Sequence, residues 1–315
     1  MTHIDRYQIE SCQRMFSERY SHFIRQTPLW KLSGRALGVE CAEVWLKLEH
    51  LQTGGSFKAR GMLNRLLSNP IPPSGVIVAS GGNAGIATAA AARELGVPCE
   101  VFVPEISSLA KRARLAALGA RVVVGGAAYA DALQACLARQ QETGALLTHA
   151  YDQPEVLVGA GTMALEIEQQ GGLPDSVLVS VGGGGLIGGV ASWFGQRSRV
   201  VALEPELSPA LFRARAAGQP VDVAVSGIAA DSLGARRIGS LAWDATQAHV
   251  RDALLLTDES IRAAQRWLWQ ELKLAVEPAA ALPLAALQSG RYLPLADETV
   301  CLIICGANLD PASLN

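Results

Sequence analysis

The sequence predicts a doubly wound α/β fold, and three observations predict it. Strand-like and helix-like runs alternate along most of the chain. Glycine-rich turns stand where strands give way to helices. Half of the 315 residues are apolar, enough to bury a sizeable core in one large or two moderate domains.

In chain order, the pattern places strands over 76–79, 99–103 and 122–124, with helices over 86–95, 109–118 and 129–142. A helix over 162–169 follows, then strands over 177–181, 200–203 and 300–304. Gly96-Val97-Pro98 and Gly119-Ala120 sit where a helix ends and the next strand begins, as βα units require. No internal repeat or low-complexity linker interrupts the pattern.

Composition narrows the partners. The net charge is −2 and there is no basic run, which argues against nucleic acid or an anionic membrane surface and for a small-molecule ligand. No uninterrupted apolar run is long enough to span a bilayer. Met1-Thr2-His3-Ile4-Asp5-Arg6 leads into polar sequence unlike a signal peptide, so a cytoplasmic location is expected. The six cysteines, at 12, 41, 99, 136, 301 and 305, are scattered, with no CxxC pair and no histidine at ligand spacing. They read as reduced thiols, and no metal site is expected.

Three segments point to chemistry. In Gly54-Gly55-Ser56-Phe57-Lys58-Ala59-Arg60-Gly61 a lysine stands among glycines, and burial or a cationic neighbour such as Arg60 would free its neutral amine to attack a carbonyl. Ala79-Ser80-Gly81-Gly82-Asn83-Ala84-Gly85 joins a strand to a helix and turns backbone N–H groups toward an anion. Ser180-Val181-Gly182-Gly183-Gly184-Gly185-Leu186 does the same, and its four consecutive glycines suit backbone that wraps a phosphate at a helix N-terminus.

With these segments the chain resembles the fold-type II pyridoxal-phosphate enzymes, and within them the serine/threonine dehydratases, to which serine racemase is related. The resemblance also takes in Arg25-Gln26-Thr27-Pro28-Leu29, Trp45-Leu46-Lys47-Leu48-Glu49, Ala150-Tyr151-Asp152-Gln153-Pro154, Val276-Glu277-Pro278-Ala279 and Cys305-Gly306-Ala307-Asn308. It implies two doubly wound open-sheet domains of the tryptophan synthase β kind, with pyridoxal 5'-phosphate in the cleft between them. The large domain would be 1–70 with 152–315, and the small inserted domain 71–151. The chain ends at Asn315, so a C-terminal regulatory domain is not expected, and a catabolic role is favoured.

The roles come from the same resemblance. Lys58 would be the Schiff-base lysine and, once displaced, would take the substrate's Cα proton. Phe57 would lie on one face of the cofactor ring. Gly182, Gly183, Gly184 and Gly185 would hold its phosphate, Asn83 its ring hydroxyl, and Cys305 would face the pyridine nitrogen. Ser80, Gly81 and Gly82, with Asn83, would cradle the substrate carboxylate. Residues 226–234 would face the ring opposite Phe57, and Glu277-Pro278 reads as a helix start rather than as chemistry. A homodimer is expected by analogy.

The implied reaction is β-elimination from L-serine or L-threonine, giving pyruvate or 2-oxobutyrate plus ammonia. A thiol at 305, with an ordinary pKa near ~8.5, offers no fixed anion to the ring nitrogen, which favours expelling a β-leaving group. Racemases carry a proton-transferring serine where this chain has Gly81. They bind a divalent cation through a glutamate and an aspartate six residues later, where this chain has Glu204 and Ala210.

Alternatives remain at this level. Other β-substituted amino acids are possible substrates: 3-hydroxyaspartate, phenylserine, diaminopropionate or a hydroxyectoine-pathway intermediate. β-Replacement of the cysteine-synthase kind, or a catalytically silent metabolite binder, would use the same fold. In another mechanistic class, Gly183-x-Gly185-x-x-Gly188 followed by Glu204 satisfies the dinucleotide fingerprint of an NAD(P)-dependent oxidoreductase.

Overall fold

A computed structural model describes residues 4–314. Residues 1–3, part of the opening read as unlike a signal peptide, and Asn315 lie outside the described residues.

The elements run α1 (Arg6–Arg19), β1 (Leu29–Ser33), β2 (Glu43–Lys47), α2 (Lys58–Leu67), β3 (Val76–Ala79), α3 (Asn83–Glu94), β4 (Cys99–Val103), α4 (Leu109–Ala117), β5 (Arg121–Val124), α5 (Tyr129–Thr143) and β6 (Leu146–Leu147). They continue through α6 (Pro154–Gly171), β7 (Ser176–Ser180), α7 (Gly185–Phe194), β8 (Arg199–Pro205), α8 (Ala210–Ala217), the single turn α9 (Ala230–Leu233), α10 (Ser240–His249), β9 (Val250–Leu256), α11 (Asp258–Leu272), α12 (Pro278–Gln288) and β10 (Thr299–Ile303).

The strands form two sheets, which makes the fold the doubly wound α/β arrangement read from the sequence. One has six strands in the order β1-β2-β10-β7-β8-β9, parallel except for the antiparallel pair of β1 and β2. The other has four parallel strands, β5-β4-β3-β6, all drawn from residues 76–147. β3 and β7 are buried along their whole length. That is why their sequences read as continuous apolar runs rather than alternating ones.

Each sheet has one place where the winding reverses. From β3 the chain proceeds to β4 and β5 on one side, while β6 adds on the other. From β7 it proceeds to β8 and β9, while β10 adds on the other. The crevices outside the carboxyl ends of β3 and β7 are therefore topological switch points, where open α/β sheets bind ligands. Residues 80–82 follow β3, residues 181–184 follow β7, and Cys305 lies just beyond β10, the neighbour of β7.

Helix boundaries follow local chemistry. Asp5 accepts the Gln8 N–H at 2.9 Å while Gln8 Oε1 accepts the Asp5 N–H at 3.0 Å, a reciprocal cap that starts α1. α6 begins at Pro154, eight residues before the predicted helix. It is buried on every side from Val156 to Ile167, so it shows no amphipathic stripe to mark its start. α2 packs on both α6 and α3 and so bridges the elements flanking the two sheets.

Candidate active site

The loop after β7 is shaped by its neighbours. Gly184 has φ +93°, a left-handed conformation natural to glycine, and it precedes the first residue of α7, where no side chain caps the helix. A Cβ on Gly183 would stand 2.2 Å from the Tyr151 ring, and one on Gly185 would stand 3.0 Å from Tyr151 Cα. A Cβ on Gly182 would stand 2.9 Å from Leu233 Cα. The run is thus glycine for two reasons: it lies against Tyr151 and Leu233, and it leaves the N–H groups at the start of α7 bare for an anion.

The lysine segment is pinned beside that loop. Ser56 and Gly306 form an antiparallel bridge, the Phe57 N–H donates to the Cys305 carbonyl at 3.0 Å, and the Ala307 N–H donates to the Gly55 carbonyl at 2.9 Å. Lys58 is the first residue of α2. Its Nζ donates to the Ala150 carbonyl and lies 5.2 Å from the centre of the Phe57 ring. Burial pulls its pKa down to about 8, against the opposing pull of Cys305 and Glu277.

Arg60 does not assist this shift, contrary to the expectation from sequence. Its guanidinium is fully buried, turned onto Glu49 and Glu166, and neutralised by them. Desolvation alone makes the Lys58 amine easier to deprotonate.

Asn83 and Glu277, which line the same cleft as Lys58, belong to a hydrogen-bonded group. Asn83 Nδ2 donates to the two Glu277 oxygens at 2.8 and 3.0 Å, and Asn83 Oδ1 accepts from Asn308 Nδ2 at 2.5 Å. Asn308 Nδ2 also reaches the Gly54 carbonyl at 2.8 Å. Burial raises the Glu277 pKa, and hydrogen bonds from Asn83, Ser232 and the Asn308 backbone oppose the rise. Burial, followed by the nearby Glu277, pushes the Cys305 thiol well above its ordinary range, so it stays neutral.

One cleft therefore collects Phe57, Lys58, Asn83, Gly182, Gly183, Gly184, Gly185 and Cys305 on its wall. Ser80, Gly81 and Gly82 are not on that wall. They lead into α3, whose N-terminus also lacks a side-chain cap, and a Cβ on Gly82 would lie 3.8 Å from the Asp231 carbonyl. Of residues 226–234, Ser232 and Leu233 reach the wall.

Tyr151, Ser180, Leu186, Glu277 and Ala279 also line the cleft, although the sequence reading gave none of them a place in the site. Glu277 occupies the position before α12, as expected of a helix start, but its carboxylate caps nothing there and turns to Asn83 instead. Its one signal was an acidic residue in an otherwise apolar stretch. Tyr151 stands in Ala150-Tyr151-Asp152-Gln153-Pro154, one of the segments that carry the resemblance, and nothing in that segment points to its contact with Gly183.

Glu204 is engaged elsewhere than in either role raised for it. Its oxygens accept the Leu211 and Phe212 N–H groups at 2.7 Å each, at the start of α8, and the side chain is fully buried. Burial pushes its pKa up to about 8 despite those two donors. Among the described residues there is no cluster of three or more His, Cys, Asp or Glu able to hold a metal ion.

Comparison with known proteins agrees with this geometry. The profile of a family described as "Pyridoxal-phosphate dependent enzyme" matches residues 20–306. An L-threonine ammonia-lyase of Geobacter sulfurreducens is 36% identical over 279 residues, covering 86% of this chain and 69% of the relative. A phenylserine dehydratase of Ralstonia pickettii is 33% identical over 302 residues, covering 94% and 91%. A solved T.th. threonine deaminase superposes with a TM-score of 0.88 at 33% identity, covering 97% of this chain and 99% of that one.

Proposed function

The chain belongs to the pyridoxal-phosphate dependent enzyme family, and from that premise we propose that it dehydrates and deaminates L-serine, L-threonine or both, releasing pyruvate or 2-oxobutyrate with ammonia. It is a lyase that uses pyridoxal 5'-phosphate and acts on an amino acid. The observation that carries the proposal is the convergence of Lys58, the glycine loop at 182–185 and Cys305 in one cleft.

The residues fit the cofactor. The bare N-terminus of α7 suits its phosphate, and Lys58 is a buried amine with no carboxylate partner among the described residues. Residues 182–185 would hold the phosphate, Phe57 would cover one ring face, Asn83 would meet the ring hydroxyl and Cys305 the ring nitrogen. When bound, pyridoxal phosphate supplies a carbonyl for an amine and an electron-poor ring that draws electrons from the substrate's Cα.

The protein's own groups then divide the work. Ser80, Gly81, Gly82 and Asn83, at the uncapped start of α3, would hold the substrate carboxylate with backbone N–H groups. The Lys58 amine, with its pKa drawn down to about 8, would serve as the base that takes the substrate's Cα proton. Glycine at 81 has no group to return a proton from the opposite face, which favours elimination over racemisation. A neutral thiol at Cys305 favours loss of a leaving group from Cβ.

Residues 71–151, which carry the four-stranded sheet, would move as a lobe that closes over the substrate. An ion pair from Lys111 on α4 to Asp231 on α9, and a hydrogen bond from Arg114 Nη2 to the Gly54 carbonyl at 3.5 Å, support this reading. Closure would expel water from the cleft. A cytoplasmic homodimer completes the proposal, to be tested by fractionation and sedimentation. Among the described residues, no helix is long and apolar enough to cross a membrane.

The similarity to a phenylserine dehydratase over nearly the whole chain supports a second reading, in which the β-substituent is aromatic. The test is the visible absorbance of the purified holoprotein together with 2-oxo acid release from L-serine, L-threonine and phenylserine. Product from serine or threonine upholds the proposal. Product from phenylserine alone moves the substrate, and absence of a visible band after added pyridoxal phosphate sinks both readings.

A further inference from the structure

Residues 25–29 and 45–49, singled out in the sequence, add nothing to the cleft wall. Both converge on one side chain two residues from Lys58. Arg60 lies on the first turn of α2 with no solvent exposure. Its Nε and Nη2 fork onto Glu49 at 2.8 Å each, and its Nη1 and Nη2 fork onto Glu166 at 2.8 Å each. Nη1 also meets Thr162 Oγ1 at 3.1 Å, and Nη2 the Arg25 carbonyl at 3.3 Å.

The acceptors are themselves held. Thr27 Oγ1 donates to Glu49 Oε1 at 2.5 Å, and Lys47 Nζ donates to Glu166 Oε2 at 2.7 Å, the Thr27 carbonyl at 2.8 Å and Gln170 Oε1 at 2.9 Å. Two cations and two anions are thus buried together with almost no exposure. Such a cluster is weak grounds for stability, because apolar side chains of similar volume often serve as well. What it does supply is position, since each guanidinium fork accepts only one planar arrangement.

Further along α2, Asn64 Nδ2 donates to the Glu155 carbonyl at 2.8 Å and Arg65 pairs with the Glu155 carboxylate at 2.9 Å, but both lie at least a turn beyond Lys58. No side chain caps the start of α2. At its first turn it meets α6 through bare backbone: a Cβ on Gly61 would stand 2.8 Å from the Val156 carbonyl oxygen, and one on Gly159 would stand 2.4 Å from the Arg60 carbonyl oxygen. At that close approach of glycines, the side chain on the same turn that bonds α6 is Arg60.

We infer that Arg60, clamped between Glu49 and Glu166, is a positioning residue that fixes the first turn of α2 against α6 and so sets where Lys58 Nζ stands in the cleft. The inference rests on the role proposed for Lys58. It assigns residues 25–29 and 45–49 to the supporting frame of that lysine.

The test compares wild type with Arg60→Lys, which keeps the charge and loses both forks. In the holoenzyme, kcat is expected to fall by about tenfold to a hundredfold, the scale of an ångström misplacement, while KM stays within about threefold. After cofactor removal, the pH midpoint for acetylation of Lys58 should rise toward that of an ordinary lysine. A lower melting temperature with kcat per folded molecule and the acetylation midpoint both unchanged would overturn the inference. Should Arg60→Lys not fold, Thr162→Val removes one acceptor, keeps every charge, and is expected to move the same two readouts in smaller measure; unchanged readouts there overturn it too. Failure of the Lys58 role is separable: wild type would then show no visible band, and Lys58→Ala would retain turnover.

Discussion

Tyr151 and Gly183 touch so closely that a Cβ added to residue 183 would lie 2.2 Å from Tyr151 Cδ1. Tyr151 therefore backs the loop that would hold the cofactor phosphate, from a chain segment that precedes all of α6. Gly183→Ala is expected to weaken cofactor binding by at least about tenfold, with a lower melting temperature, since overpacking of this kind typically costs ~1–3 kcal/mol. Tyr151→Ala should restore part of the loss when combined with it. Titration of the cofactor-free proteins with pyridoxal phosphate measures both, and strict additivity of the two changes would contradict the contact.

Lys58→Ala is expected to lose the visible absorbance band of the holoprotein and to cut turnover by about three orders of magnitude, within the range of general acid–base catalysis. Lys58→Arg should not recover it, because a guanidinium stays charged. For wild type, the rate at which cofactor-free protein takes up pyridoxal phosphate should rise as pH passes through about 8, where the amine becomes neutral. A rate that keeps climbing about tenfold per pH unit to pH ~9.5, without levelling off above about 8, would show that Lys58 keeps an ordinary lysine pKa of ~10.4.

Glu204 is raised from its ordinary value to about 8 by burial. The folded state then binds more protons at this site than the unfolded state does between pH ~4.3 and about 8. The stability this gives is complete below the unfolded pKa and is lost as pH rises to about 8. Glu204→Gln removes the titration, so its melting temperature relative to wild type should climb between pH 5 and pH 8. A difference that stays constant with pH would mean that the two α8 N–H donors keep the carboxylate ionised.

A Cβ on Gly81 would stand 3.2 Å from Ser107 Oγ and 3.3 Å from Val103 Cγ1, so a side chain fits there only after a small shift of its neighbours. Gly81→Ser is expected to give some D-serine from L-serine, and more when Ser107→Ala makes room. Chiral chromatography of the reaction mixture decides it. The absence of D-serine from both variants would mean that residue 81 does not control proton return.

Lys111 and Asp231 are both partly exposed, and such a pair contributes little to stability, on the order of 1 kcal/mol or less. If it helps to hold the proposed lobe closed, Lys111→Ala should raise KM severalfold with little change in melting temperature. An unchanged KM would remove the pair from the closure step.

The sequence by itself determined the parts of this protein whose requirements are local. A glycine run between an apolar strand and a helix demands a particular backbone whatever surrounds it, so the loops at 80–82 and 182–185 were legible. So was Lys58 within its glycine-flanked segment, and so were the short buried strands between them. The start of α6 was not legible, because a helix buried on all sides has no polar face to set its period. α11 escaped reading although Ile261, Ala264 and Leu268 line one of its faces.

Only the tertiary structure decided what stands opposite each group. Tyr151 behind Gly183 and Glu277 against Asn83 are pairings made by the winding of two sheets, and residues 83 and 277 share no local pattern. Arg60 shows this most directly. As a charged side chain beside Lys58 it reads as a neighbour that lowers the lysine's pKa. In the fold it is buried between two carboxylates from other segments, where its charge is cancelled and its geometry remains. Desolvation and pairing depend on which distant atoms fill the space around a group, and chain order alone does not specify them.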